Sequence, residues 1–334
     1  MPTELSSRHP PAPTPTSALG EFELIHKYLT RAPRRAALGV GDDCALLDVA
    51  AGQRLAVSSD MLVEGRHFLS TLAPERLGHK ALAVNLSDLA ACGAEPLAFT
   101  LALAMPRADE AFIAPFARGL FALADAHAIE LVGGDTTAGP LNLCITVFGQ
   151  VPPAQALLRS GARPGDDLWV SGELGDARLA LEVFRGSVSL AGDDFERVRR
   201  AMELPQPRVA LGIALRGIAA SAIDLSDGLV GDLGHVMRRS GVGALIDVDA
   251  LPRSAVLAAQ PQPVQHECLL AGGDDYELLF SAAVTRRAEV QAAGARAQVA
   301  LTRIGSIERG SALRVVDGHG APVAAAWRGF DHFR

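Results

Sequence analysis

Apolar and polar positions along the chain follow two rhythms. Phe22, Ile25 and Leu29 recur at helical spacing in GEFELIHKYL, and order is expected to begin there. RLAVSSD, at 54–60, reads as a strand with a polar tip. PERLGHKALAVNLSDLAACGAEP predicts a helix, with Pro74 in its first turn, Gly93 as its C-terminal cap and Pro96 at its exit. LAFTLALAM reads as a buried strand. ADEAFIAPFARGLFALADAHA reads as a helix in which Pro115 predicts a kink or a late start. IELVGGDTT predicts a strand running into a Gly-Gly-Asp turn, and LNLCITVFGQV another strand. After the turn-rich PPAQALLRSGARPGDD the mixture resumes. DLWVSG is a strand, SAIDLSDG a strand with an acidic tip, LVGDLGHVMRRSG a helix closed by Gly241, and YELLFSAAV a strand. Two more strands are expected at 298–304 and 312–316. Interleaved helices and strands in both halves predict an α/β (α+β) protein of two mixed α/β domains, at 19–152 and 153–334. The pattern does not fix whether the sheets are parallel.

The length, 334 residues, fits two domains of ordinary size. Hydrophobic residues make up 49% and aromatics only 5%, so the cores should be aliphatic. A net charge of −7 argues against a nucleic-acid surface, which needs a basic face. Cys44, Cys92, Cys144 and Cys268 are far apart, with no CxxC spacing, which suits a reducing cytoplasm. No apolar run reaches membrane-span length and no signal peptide is evident. Residues 1–18, rich in Pro, Ser and Thr, are expected to be a disordered tail.

Aspartates collect at the polar tips: Asp42 and Asp43 in GVGDDC, Asp60 in VSSD, Asp88 in NLSD, Asp135 in VGGDTT, Asp224 and Asp227 in IDLSDG, and Asp274 and Asp275 in AGGDDYE. Turn chemistry explains any single tip, and Asp227 reads as an ordinary helix N-cap. Asp88 is different. It lies inside a helical pattern, where Asp is a weak helix former, with Asn85 on the same face. Clustered carboxylates with hydroxyls and no Cys/His set suit a hard cation such as Mg2+. Without a cation, gathering them would cost several kcal/mol, on the order of a buried unpaired charge. There is no P-loop, no dinucleotide-binding GxGxxG and no HRD/DFG set. SGELGD, at 171–176, resembles a glycine-rich phosphate loop only weakly.

Taken together, GEFELI, GVGDDCALL, SSDMLVEGRHF, KALAVNLSDLAACGAEP, VGGDTT, SGARPGD, SAIDLSDGL, GGDDYEL and WRGFDHF resemble the thiamine-monophosphate kinase family, in order and spacing, from about residue 20 to the C-terminus. That family lies among the aminoimidazole-ribonucleotide synthetase-like ATP enzymes. The resemblance implies two mixed α/β domains of that type, a homodimer formed partly by the first, and transfer of phosphate from ATP to thiamine phosphate with several Mg2+ ions. It implies that Asp43, Ser58, Ser59, Asp60, Asp88, Asp135, Asp224 and Asp227 hold Mg2+. It implies that Gly134, Asp135, Arg159 and Ser226 contact ATP, and that His67, Asp274 and Phe330 contact the substrate. The family motif is often Gly-Gly-Glu-Asp, so Asp274 is one methylene shorter, and Phe330 stands where Tyr can occur. Other readings are a sister ATP enzyme that activates an amide or a selenide, a non-catalytic nucleotide-binding module, or a purely stabilising role for divalent ions. No activated nucleophile is evident, so transfer is expected to be direct, without a phosphoenzyme.

Overall fold

The computed structural model describes residues 20–41, 43–323, 327 and 329. The expected tail at 1–18 lies outside them. The described residues open with a helical turn α1 (Glu21–Leu24), continued by a π-helical turn at Ile25–Leu29. Leu24 and Leu29 are buried there and Phe22 is not, so the inward face is shifted from the expected one. The first half then runs β1 (Arg54–Val63), α2 (Pro74–Cys92), β2 (Glu95–Met105), α3 (Glu110–Ala126), β3 (Glu130–Ala138) and β4 (Asn142–Val151). The second half runs β5 (Asp167–Ser171), α4 (Asp176–Phe184), α5 (Gly192–Glu203), α6 (Val209–Ala214), β6 (Ser221–Asp224), α7 (Leu229–Ser240), β7 (Gly243–Asp247), α8 (Ala255–Ala258), α9 (Gln262–Ala271), β8 (Leu278–Ala282), α10 (Arg287–Ala297), β9 (Leu301–Glu308) and β10 (Leu313–Val316). Both sheets are mixed. The first has the order β1-β4-β2-β3, with only β2 and β3 parallel. The second has the order β10-β7-β9-β5-β8-β6, with only β10 and β7 parallel.

Several local expectations hold. α2 begins at Pro74, whose missing N–H would be unpaired there anyway, and ends on Gly93 in the left-handed conformation, φ +66°. α7 closes on Gly241 in the same way. Two others need correction. β3 does not turn at Gly133-Gly134-Asp135 but runs through it. A bulge absorbs one extra residue, since Phe99 pairs with Leu131 and Thr100 with Gly133. Gly134 then passes so close to β2 that a Cβ would stand 1.9 Å from the Leu101 carbonyl oxygen. α3 does not start late: it begins five residues before Pro115 and runs through it. The Asp109 carboxylate accepts from the N–H of Ala111 and fixes the start, while buried Ile113, Phe116 and Leu120 hold the helix through the bond that proline omits.

α2 is the centre of the molecule. It packs against α3 and the inner face of the first sheet, and its other side meets α6 and β6 of the second half. Leu82, Leu86 and Leu89 belong to one aliphatic core that continues into Trp169, Leu278 and Phe280 on the second sheet. The far face of that sheet carries a separate core with α4, α7 and α9.

Candidate active site

A cleft of about 1440 Å³ opens where the two halves meet over α2. Strand pleating turns Ser58 and Asp60 of β1 toward α2, and three α2 side chains fix the acidic floor. The Ser58 hydroxyl donates to Asp88 Oδ2. Asn85 Oδ1 accepts the backbone N–H of Asp60 at 3.0 Å, while its Nδ2 donates to the Ala81 carbonyl. Ser87 Oγ donates to Asp224 Oδ2, at the tip of β6, at 2.8 Å. Asp227 follows in the turn before α7. The expected N-cap role for Asp227 is corrected, because Gly228 occupies that position. The buried Asp232 carboxylate, one turn along, accepts the N–H groups of Asp227 and Gly228, each at 3.1 Å.

These carboxylates resist ionisation. Burial first, and then the charges of Asp88 and Asp227, push Asp60 up to about 6. Burial and Asp88 push Asp224 up to about 8, against the Ser87 hydrogen bond. Burial, then Asp227, takes Asp232 to about 7. Asp88 is raised by burial, against the Ser58 hydroxyl and the charge of Arg159. Such mutual repulsion is what a multivalent cation relieves. The donors are hard oxygens, and among the described residues no three Asp, Glu, His or Cys side chains form a closed cage. That set fits Mg2+, which keeps waters and phosphate oxygens in its shell.

The remaining expected residues divide. Arg159 lines the rim, exposed, and Ser226, His67 and Asp274 line the same cleft. His67 Nδ1 accepts the Val63 N–H at 3.0 Å, so the neutral ring carries its proton on Nε2. Asp274 has φ +67°, and its carboxylate accepts from Lys80 Nζ at 2.9 Å and Tyr276 Oη at 3.0 Å. Ser59 also lines the cleft, but its hydroxyl turns to the opposite face of β1, bonded to Thr146 and the Ile145 carbonyl. Asp135 and Gly134 are exposed on edge strand β3 and do not line the cleft. Asp135 pairs with Ala102, in the row of Cys144 and Met61 on the outward face. Asp43 is also outside the cleft, beside a segment whose Ala45, Leu47 and Val49 pack on that outward face. Asp42 and Phe330 lie outside the described residues. Sequence reasoning missed Lys80, Ser87, Asp232 and Tyr276. Lys80 had a signal: only Lys27 and Lys80 among the chain's 31 basic residues are lysine.

Residues 41–151 match the family model of AIR synthase related protein, N-terminal domain, and residues 163–318 match its C-terminal domain. The thiamine-monophosphate kinase of Salmonella typhimurium is 45% identical over 324 residues, covering 95% of this chain and 99% of that one. The crystal structure of thiamine-monophosphate kinase from Stenotrophomonas maltophilia superposes with a TM-score of 0.81 at 44% identity, covering 90% of this chain and 95% of the other. The structure of AaThiL complexed with AMPPCP and TMP superposes with a TM-score of 0.73 at 30% identity, covering 94% and 97%.

Proposed function

The chain belongs to the thiamine-monophosphate kinases, within the AIR synthase related family, and from that premise we propose how its cleft works. The protein is a kinase that uses ATP to convert thiamine phosphate to thiamine diphosphate, the last step of thiamine diphosphate biosynthesis. The reading of the site is carried by one observation: Asp60 and Asp88 of the first half meet Asp224 and Asp227 of the second in one cleft, where Asp60, Asp88 and Asp224 have depressed acidity.

In this reading Ser58, Asp60, Asp88, Asp224 and Asp227 hold Mg2+ on the cleft floor. Bound there, Mg2+ would supply charge neutralisation for the phosphates, the main electrostatic requirement of phosphoryl transfer. Arg159 forks onto phosphate oxygens of ATP at the rim, beside Ser226. His67 donates from Nε2 to the acceptor phosphate, and Asp274 contacts the organic part of the substrate. Transfer is direct. Burial raises the Cys268 thiol to about 12 and raises Cys92 as well, which keeps both protonated and poor as nucleophiles. The acceptor is already an oxyanion and needs little help from a base.

We assign residues 19–152 and 153–334 to the two domains; each sheet lies within one of them. We assign the working form as a homodimer. The outward face of the first sheet leaves Leu55, Val57 and Met61 of edge strand β1 about half exposed, and an apolar face of this kind calls for a cover. Asp43, Gly134 and Asp135 belong to that side, so a second copy completes the ligand set. Four free cysteines suit a reducing cytoplasm. The test is incubation with ATP, Mg2+ and thiamine phosphate. Thiamine diphosphate is expected with Mg2+ and little without it. Labelled protein after ATP alone, able to pass its phosphate to thiamine phosphate, would overturn direct transfer.

A further inference from the structure

Lys80 is 2% exposed, yet it is charged and lies in the wall of the cleft. Removing an ammonium from water costs several kcal/mol, of order the penalty for a buried ion, unless partners replace the solvent. Two partners do so. Nζ donates at 2.9 Å to Asp274 Oδ2 and at 2.9 Å to the Met202 carbonyl at the end of α5. The pair joins α2 of the first half to the acidic loop of the second. A chain that uses arginine for all but two of its basic residues has kept a compact ammonium here.

The loop it holds is strained. Asp274 and Tyr276 have φ of +67° and +50°, a region costly for residues with a Cβ. Backbone bonds zip it to the neighbouring tip: Asp274 N–H donates to the Ser226 carbonyl at 2.9 Å, and Tyr276 N–H to the Leu225 carbonyl at 2.8 Å. The side-chain bonds from Lys80 and Tyr276 then fix both carboxylate oxygens of Asp274, one each. A carboxylate oxygen accepts about two hydrogen bonds, so each retains one accepting direction.

We propose that Lys80 is a positioning residue for thiamine phosphate. Its ammonium and the Tyr276 hydroxyl set the Asp274 carboxylate to accept from an N–H group of the substrate. The aminopyrimidine amino group is the donor with that chemistry. With its charge already balanced by Lys80, Asp274 does not serve as the counter-ion of the thiazolium ring. The inference rests on the reading of Asp274 as a substrate contact.

The test is steady-state kinetics on the full chain with both substrates varied. Loss of a hydrogen bond to a charged group predicts that Lys80→Met raises KM for thiamine phosphate about tenfold or more, with KM for ATP within about twofold. Asp274→Asn should behave alike, and the double variant should be no worse than the worse single, because one arrangement is lost in each case. Tyr276→Phe removes a single hydroxyl and provides the same readout if Lys80→Met fails to fold. Its expected effect on KM for thiamine phosphate is about threefold or more. Unchanged KM for thiamine phosphate, equal rises for both substrates, or additive effects in the double variant would each overturn the proposal. A wild-type protein that makes no thiamine diphosphate would instead remove the functional reading on which it stands.

Discussion

Asp60 and Asp224 stand where a carboxylate ionises with difficulty, at about 6 and about 8 against an ordinary 3.8. Their acidity is depressed in the folded state, so the fold binds protons more tightly than the unfolded chain does. The stabilisation is complete below about pH 4 and is lost as pH rises through about 6 and then about 8. With divalent ions chelated, urea unfolding should therefore give a free energy that falls by a few kcal/mol between pH 4 and 8, an order-of-magnitude figure from the linkage of these two groups. Added Mg2+ should restore stability most at the upper end, and Asp224→Asn should flatten the profile. A chelated protein as stable at pH 8 as at pH 4 would contradict the crowding of these charges. At this scale the sequence was partly legible. Asp60, Asp88, Asp224 and Asp227 were visible as acidic tips, because polar residues among glycine, serine and apolar runs mark chain reversals. Lys80 was not, although it was the rarer residue. Its partner Asp274 lies 194 positions away, and a lysine in a helical pattern is ordinarily a solvated one. Asp232 was hidden for a related reason: its role is to accept backbone N–H groups that only the folded turn presents.

α2 shows what an element can reveal before folding and what it cannot. Its proline entry, apolar rhythm and glycine exit were all legible, because each is settled within a few residues. Its central position was not, since that depends on contacts with α3, α6 and β6. α5, α6, α8, α9, α10 and β7 had no counterpart in the sequence reading. α8 and β7 are only four and five residues long, and α10, RAEVQAAGARA, has too few large apolar side chains to show a face. The crossing of α2 and α3 depends on glycine on both sides. A Cβ at Gly119 would stand 1.8 Å from the Glu75 carbonyl oxygen, and one at Gly78 would stand 2.0 Å from that of Phe116. Two effects compete in Gly119→Ala. Helix propensity favours alanine by about 1 kcal/mol. Overpacking against backbone costs about 1–3 kcal/mol or more, because no flexible side chain can move aside. The second should win, with a net loss of about 2 kcal/mol in urea unfolding: a cost at the upper end of that range, about 3 kcal/mol, less the propensity gain of about 1 kcal/mol. Because α2 carries Asn85, Ser87 and Asp88, turnover should fall with it. An unchanged or higher midpoint would mean that the helices separate without cost.

For the whole molecule, the cleft of one chain gathers the carboxylates of both halves but not all the residues the family resemblance implies. Asp60, Asp88, Asp224 and Asp227 meet there; Asp135 stands on the outward face of the first sheet, at the opposite edge from β1. That arrangement was illegible in the sequence, because strand order and sheet face, not motif, decide which tips converge. The homodimer proposed above, through the outward face, would account for it, since two-fold symmetry brings the same face of a second chain against the first. The consequence is specific. If each working site takes Asp88 from one chain and Asp135 from the other, Asp88→Asn and Asp135→Asn should each abolish most activity alone. Mixed and allowed to exchange, they should recover up to about a quarter of wild-type turnover, since random pairing gives heterodimers in half the population and one intact site in each. Val57→Asp, on the exposed row of β1 and outside the site, places a charge on the same face. It should shift the protein toward monomer in light scattering and lower turnover with it. Recovery cannot arise if both aspartates act within one chain, because every site would then keep one of the two lesions. A mixture as inactive as its components, with subunit exchange verified, would return Asp135 to its own chain and require β3 to move toward the cleft when ATP binds.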